Sequence, residues 1–181
     1  MTKNWMAWEG GVDLVAMTNP DLAAPNIIVH VARMVHTPLG SAPSGLVLWQ
    51  PNPNQAPQLM GFVSTDETVG AYFGPHIFAG TPFENAPVLL AKMTFEIAEN
   101  EVSARIETGD FVFESRMENL QHSEPIQREV GALPFAQSAV EAISQNATLK
   151  VNGETVELTL PDVGISGGAP AVFAACGFYA R

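Results

Sequence analysis

The sequence predicts a mainly β chain: an antiparallel β-sandwich or barrel of about ten strands, with two short helices in the C-terminal third, spanning residues 1–181 as one domain. Three observations carry this. Short apolar runs rich in β-branched and aromatic residues recur between clusters of Gly, Pro and Asn. In EVSARIE (101–107), Val102, Ala104 and Ile106 alternate with Glu101, Ser103, Arg105 and Glu107, the period of a strand with one wet face. Asn152-Gly153, between ATLKV and ETVELTL, is the strongest turn signal in the chain.

Taken in order, VDLVAMT (12–18), NIIVHVARMVH (26–36), SGLVLWQ (44–50) and QLMGFVS (58–64) read as strands, punctuated by TNPDLAAPN and QPNPNQAPQ. From residue 88, VLLAKMTFEI, VSARIE and FVFESRM are joined by AENE and TGD. Those breaks suit hairpins, so three strands form an antiparallel meander. ALPFAQSAVEAISQN (132–146) places Phe135, Ala139, Ala142 and Ile143 on one face at helical spacing, with Pro134 in the first turn and Asn146 at the C-terminal end. The chain closes with GISGGAPAVFAACG, a Gly-rich turn into a short apolar helix begun by Pro170 and capped by Gly177.

A length of 181 residues is enough to bury one sizeable core. Charged residues make up 15%, below the roughly 25% of a typical domain, and neutral surface favours self-association, here as a homodimer. The 19 acidic against 8 basic residues give a net charge of -11, which opposes nucleic-acid binding and docking on anionic membrane. No run of about 20 apolar residues suggests a membrane-spanning helix. The opening MTKNWMAWEGG has no apolar leader segment, so a soluble cytoplasmic protein is expected, or a periplasmic one if a signal was removed. Cys176 is the single cysteine; it excludes an intrachain disulfide and a thiolate metal cluster, and it reads as a small buried hydrophobe.

IIVHVARMVHTP (27–38) carries two of the four histidines. On a strand, His30 and His36 share a face but stand about 20 Å apart; on a helix they point about 240° apart. Neither arrangement chelates one ion, so the expectation is two histidines on one face of a sheet, one of them hydrogen-bonded inside. No metal site is expected.

Gly164-Ile165-Ser166-Gly167-Gly168 fits the G-x-S-x-G pattern between a strand and a helix signal. A nucleophile elbow belongs to a parallel doubly wound sheet, and no Asp, Glu or His follows Ser166. The stretch is read as a tight turn with Ser166 or a neighbour capping the final helix. Asp66-Glu67 and EIAENE are read as solvated turn residues.

YFGPHIFAGTPFENAP (72–87) interleaves Tyr72, Phe73, Phe78 and Phe83 with Gly, Pro and His76, without a clear period. Long aromatic loops cover cavities or contact partners; the plainer reading is that these rings plug the open end of a sandwich or barrel. Tyr72, Phe73, His76, Phe78 and Phe83 are therefore the candidate ligand- or partner-binding residues. His76 and Glu84 are the candidate catalytic acid–base pair. No Walker loop, G-x-G-x-x-G, H-E-x-x-H or EF-hand pattern occurs, and no cofactor is implied.

The final third, FAQSAVEAISQNATLKVNGETVELTLPDVGISGGAPAVFAACG, resembles the end of uncharacterised proteobacterial proteins similar to the invasion-associated locus B family. The resemblance implies a helix, a strand pair and a short helix with a terminal cysteine on a β-sandwich, and carries no catalytic residue across. The chain departs from that pattern in lacking an upstream cysteine to pair with Cys176.

Two functions follow as expectations. The first is a non-enzymatic β domain that binds a small apolar molecule or a protein partner through the 72–84 aromatics. On that reading, replacing Phe78 and Phe83 by Ala abolishes binding without unfolding the domain. The second is a small barrel- or sandwich-type enzyme that uses His76 or His30 with a carboxylate such as Glu84 for proton transfer.

Overall fold

The computed structural model describes residues 4–129 and 136–180. Its strands are β1 (Trp5–Ala16), β2 (Ile27–Thr37), β3 (Gly40–Trp49), β4 (Leu59–Ser64), β5 (Val88–Leu90), β6 (Lys92–Ile97), β7 (Glu101–Thr108), β8 (Phe111–Leu120), β9 (Glu124–Glu129), β10 (Ala136–Val151), β11 (Glu154–Thr155) and β12 (Ala171–Ala180). One helix, α1 (Glu67–Tyr72), runs into a π-helical turn at Phe73–Ile77. Ten strands follow one path, β5-β4-β3-β2-β1-β12-β10-β8-β7-β6, with β9 and β11 paired to β10 beside it. The sheet curls into a nearly closed barrel. It is mixed, because β4 and β5 pair in parallel: the chain between them is long enough to return in the same direction through α1. No described helix is long and apolar enough to cross a membrane.

The meander expected from residue 88 is β6, β7 and β8 in antiparallel register, and the Asn152-Gly153 hairpin joins β10 to β11, both turn residues at positive φ. The late helices are not there. β10 covers the described part of 132–146, and β12 covers 171–180; Pro134 and Phe135 lie outside the described residues. The helical spacing rested on alanines, which cost little in either conformation. β10 pairs with β8, β9 and β12, and β12 with β1, and backbone pairing on both sides outweighs helix preferences of well under 1 kcal/mol per residue. The one helix falls where no period was visible. Asp66, read as a solvated turn residue, is its N-cap, accepting the Val69 N–H at 3.0 Å.

Both faces of the β1–β4 half are buried, which is why VDLVA, IIVHVA and GLVLW run apolar without alternation. One face, with Val12, Leu14, Val29, Val47 and Val63, meets the inward residues of β6–β8, including Val102, Ile106, Phe113 and Met117. The opposite face carries Trp8, Ile28, Leu46, Leu48 and Phe62, and is roofed by Val69, Tyr72, Phe73, Ile77 and Phe78. Each fully buried side chain of this size contributes about 1.5–3 kcal/mol.

A line of irregularities crosses this sheet. Gly10, at φ 63°, stands unpaired between Glu9 and Gly11 on β1. The β2–β3 register shifts between Ala32 and Val35, and the β10–β12 register shifts at Val140/Glu141. Met6 and Trp8 thus share a face with Gly11, whose Cβ position lies against the Trp8 indole, while Val12 points into the other core. A left-handed residue reverses the side-chain alternation, and register shifts of this kind bend the strands locally.

Candidate functional site

The face that carries the second core also carries a charged cluster in an apolar wall. Asp13 on β1 lies directly opposite His30 on β2, with Oδ1 3.1 Å from Nδ1. Neither atom has an aligned hydrogen bond, so they meet chiefly as charges. Glu141, on β10 at the register shift, is 8% exposed. Its Oε2 accepts from Arg128 Nη2 at 2.6 Å, and its Oε1 is approached by Gln137 Nε2 at 3.5 Å. Arg128 stands opposite Gln137 across the β9–β10 ladder and donates through Nη1 to Ser166 Oγ at 3.2 Å.

These groups border two adjoining cavities. One, lined by Trp8, Asp13, His30, Val35, Phe73, Gln137 and Glu141 among others, offers about 40 Å³ to the centres of water molecules. The other, lined by Trp8, His30, Ile77, Phe78, Gln137, Ser166 and Tyr179 among others, offers about 50 Å³. Each is room for about three or four waters, or for a compact molecule of a few heavy atoms. Met6, Trp8, His30 and Gln137 line both.

Burial by itself pulls the His30 imidazole down, since it disfavours the charged ring. The charge of the Asp13 carboxylate, with that of Glu141, more than offsets this, and the His30 pKa is raised above 6.5. With His30 protonated the cluster holds two carboxylates, Asp13 and Glu141, against two cations, His30 and Arg128, so its formal charge cancels. Because Nδ1 is turned to Asp13, Nε2 is the ring nitrogen left for the cavity. Among the described residues, no three His, Cys, Asp or Glu side chains converge to hold a metal ion.

The candidate residues from the sequence fall in and around the roof. Phe73 and Phe78 line the cavities; Phe73 stacks on Phe62 at 5.7 Å between ring centroids, and Phe78 meets Phe62 at a tilt at 5.4 Å. Phe83 meets Phe78 edge-on at 6.2 Å. Tyr72 is buried, accepts the Trp5 N–H at 3.0 Å, and stacks on His76 at 4.6 Å. Glu84 is exposed and its Oε2 accepts the Gly80 N–H at 2.6 Å.

The two histidines of β2 part company. His30 faces the cavity, whereas the register shift after Ala32 turns His36 to the other face, where it meets Ser41 at 2.8 Å and Glu9 at 3.3 Å. The expectation of a shared face is therefore corrected. Ser166 caps no helix, because β12 is a strand; its hydroxyl accepts from Arg128. Asp13, Arg128, Gln137 and Glu141 were missed. The signal was there in VDLVA and AVEAI, where one charged residue interrupts an apolar run, and a charge buried in that way requires a partner.

No family model matches the chain, and no curated protein matches it. Among solved structures the chain is similar to an acetoacetate decarboxylase from Legionella pneumophila, with a TM-score of 0.42 and 10% identity over 98% of this chain and 84% of that one. The likeness carries no residue's role across.

Proposed function

We propose that the chain holds a small, largely apolar molecule in the His30 cavity, and that His30, oriented by Asp13, exchanges a proton with an acceptor oxygen of that molecule. The observation that carries this reading is the Asp13–His30 pair at the cavity wall. A carboxylate on Nδ1 fixes the tautomer and steadies the charged ring, which leaves Nε2–H as a donor into apolar surroundings. Met6, Trp8, Val35 and Phe73 supply the apolar walls, and a donor in such walls favours a ligand with one acceptor and no charge of its own. Simple binding needs the walls alone, and proton transfer adds the dyad.

A set of small probes tests it: 2-butanone, isobutyramide and isopentane, observed by ligand NMR in D₂O. The expected result is binding of the two acceptor-bearing probes, weakened at least tenfold in His30→Gln, with deuterium entering beside the 2-butanone carbonyl faster than in buffer. Nε2–H protonates the oxygen while solvent water takes the α-proton, and solvent then returns a deuteron to carbon as the oxygen gives its proton back. Binding that ignores His30, or no binding by any probe, would overturn the reading. Binding without deuterium uptake would reduce it to a binding protein.

A further inference from the structure

We propose that Gln137 is the second polar contact of the bound molecule, its amide oxygen accepting a hydrogen bond from a donor that the ligand carries beside its acceptor oxygen. The ligand class is then a compact primary amide or α-hydroxy carbonyl compound, not a simple ketone. This rests on the cavity reading above and deepens it. The two cavities meet at Met6, Trp8, His30 and Gln137, which line both, so a molecule that fills either one meets both the imidazole and the amide. Gln137 is 6% exposed, whereas the His30 side chain is 30% exposed. The amide is thus the more enclosed contact, and the donor end of the ligand is the end withdrawn from water.

A neighbour fixes which way the amide points. Gln137 Nε2 approaches Glu141 Oε1 at 3.5 Å. Glu141 is paired with Arg128 at 2.6 Å, and a carboxylate only accepts, so the N–H end of the amide faces it and the carbonyl end faces away. Among the described residues nothing donates to Gln137 Oε1. Arg128 stands directly opposite Gln137 on β9, but its two terminal nitrogens are committed to Glu141 and Ser166. Tyr179 flanks Gln137 on the other side, across the β10–β12 ladder. With its backbone held by both ladders, the amide stays at the cavity wall.

The remaining side-chain acceptors of the walls are engaged: Asp13 with His30, Glu141 with Arg128, Ser166 with Arg128, and Ser44 with Ser64 at 2.8 Å. An enclosed carbonyl oxygen without a donor carries a desolvation cost. Water in the empty cavity relieves it, and a ligand that displaces this water must supply a donor or leave the oxygen bare. A site of this kind discriminates strongly against an analogue that has the same shape and lacks the N–H or O–H. His30 Nε2–H takes the ligand's acceptor and Gln137 Oε1 its donor.

The test compares isobutyramide with 3-methyl-2-butanone, which share one heavy-atom skeleton and differ only in an amide –NH₂ against a methyl group. Ligand NMR on the full-length protein gives both dissociation constants. Gln137→Met keeps the length of the side chain and removes its amide. It is expected to weaken isobutyramide about fivefold or more and to leave 3-methyl-2-butanone within about twofold. His30→Gln is expected to weaken both probes, since both carry the acceptor. A purely structural role for Gln137 would weaken the two probes alike. In the wild-type protein, the amide protons of bound isobutyramide should show nuclear Overhauser contacts to the Gln137 γ-methylene, which serves if Gln137→Met does not fold. Equal effects on the two probes in Gln137→Met, no effect on either, or the absence of those contacts overturns the proposal. If both probes bind through His30 and their ratio ignores Gln137, the amide contact fails and the cavity reading stands. If neither probe binds the wild-type protein, both readings fall.

Discussion

Asp13 Oδ1 and His30 Nδ1 face each other at 3.1 Å across the β1–β2 ladder, on the one stretch of the second core where the apolar wall is broken by charge. The pair is directly cross-strand, so its separation is set by the sheet and not by two long flexible side chains. Little rotamer entropy is lost in holding it, which distinguishes it from the surface pairs of β6–β8 such as Arg105–Glu107 and Arg116–Glu118.

Asp13→Asn removes the charge that holds the His30 proton. Burial then dominates, and the His30 midpoint falls below its wild-type value and toward or below 6.5. Because the ring escapes by becoming neutral, the stability loss stays near 1–3 kcal/mol. Histidine NMR and urea unfolding measure the two effects; an unmoved midpoint would mean that the pair is not coupled in solution.

Stability should decline on the alkaline side. The folded-state pKa of His30 is raised, so its contribution is complete below the unfolded value of about 6.5. It is lost as pH rises through the higher folded value, because the unfolded chain sheds its proton first. Urea midpoints from pH 6 to 9 should fall in wild type, and the fall should be shallower in His30→Gln.

Phe78→Ala is expected to act on stability before it acts on binding. Phe78 is 8% exposed and packs on Phe62, Phe73 and Phe83, and truncating a buried Phe costs about 3–5 kcal/mol. Phe83, only partly buried against the same cluster, should cost clearly less. The sequence-based expectation that both could be removed without unfolding therefore holds better for Phe83, and thermal unfolding of the two single variants decides it.

Gly177→Ala should deform the cavity. A Cβ at position 177 would run into the Trp8 indole, and Trp8 lines both cavities. Overpacking of this kind costs about 1–3 kcal/mol, and probe binding should weaken even in the folded variant. Unchanged Trp fluorescence and unchanged probe affinity would count against the described packing.

Gly10→Ala places a β-carbon at φ 63° and against Ile97 and Arg33. The expected penalty is about 1–3 kcal/mol, read from urea unfolding. A neutral effect would mean that the bend in β1 does not depend on this residue.

Strand content was legible in the sequence wherever the chemistry was local. The meander of β6–β8 announced itself through alternation and short breaks, since one face is wet and the other dry, and the Asn152-Gly153 hairpin through residues that tolerate positive φ. The helical reading of AQSAVEAIS and AVFAAC failed because alanine spacing fits either conformation, and only partners distant in sequence, β1, β8, β9 and β12, supply the pairing that decides between them. His30 was legible as one of two alternatives for a proton-transfer histidine, but Asp13 became its partner only through β1–β2 register.

What the sequence by itself determined, then, is the strand-rich composition, the turns and the acidic, charge-poor character, because each depends on residues near one another in the chain. The tertiary structure alone decided the mixed sheet, the line of bends through Gly10, the opposite facing of His30 and His36, and the meeting of Asp13, His30, Arg128 and Glu141. A single shift of register reverses every side chain beyond it, and no local pattern records where such a shift falls.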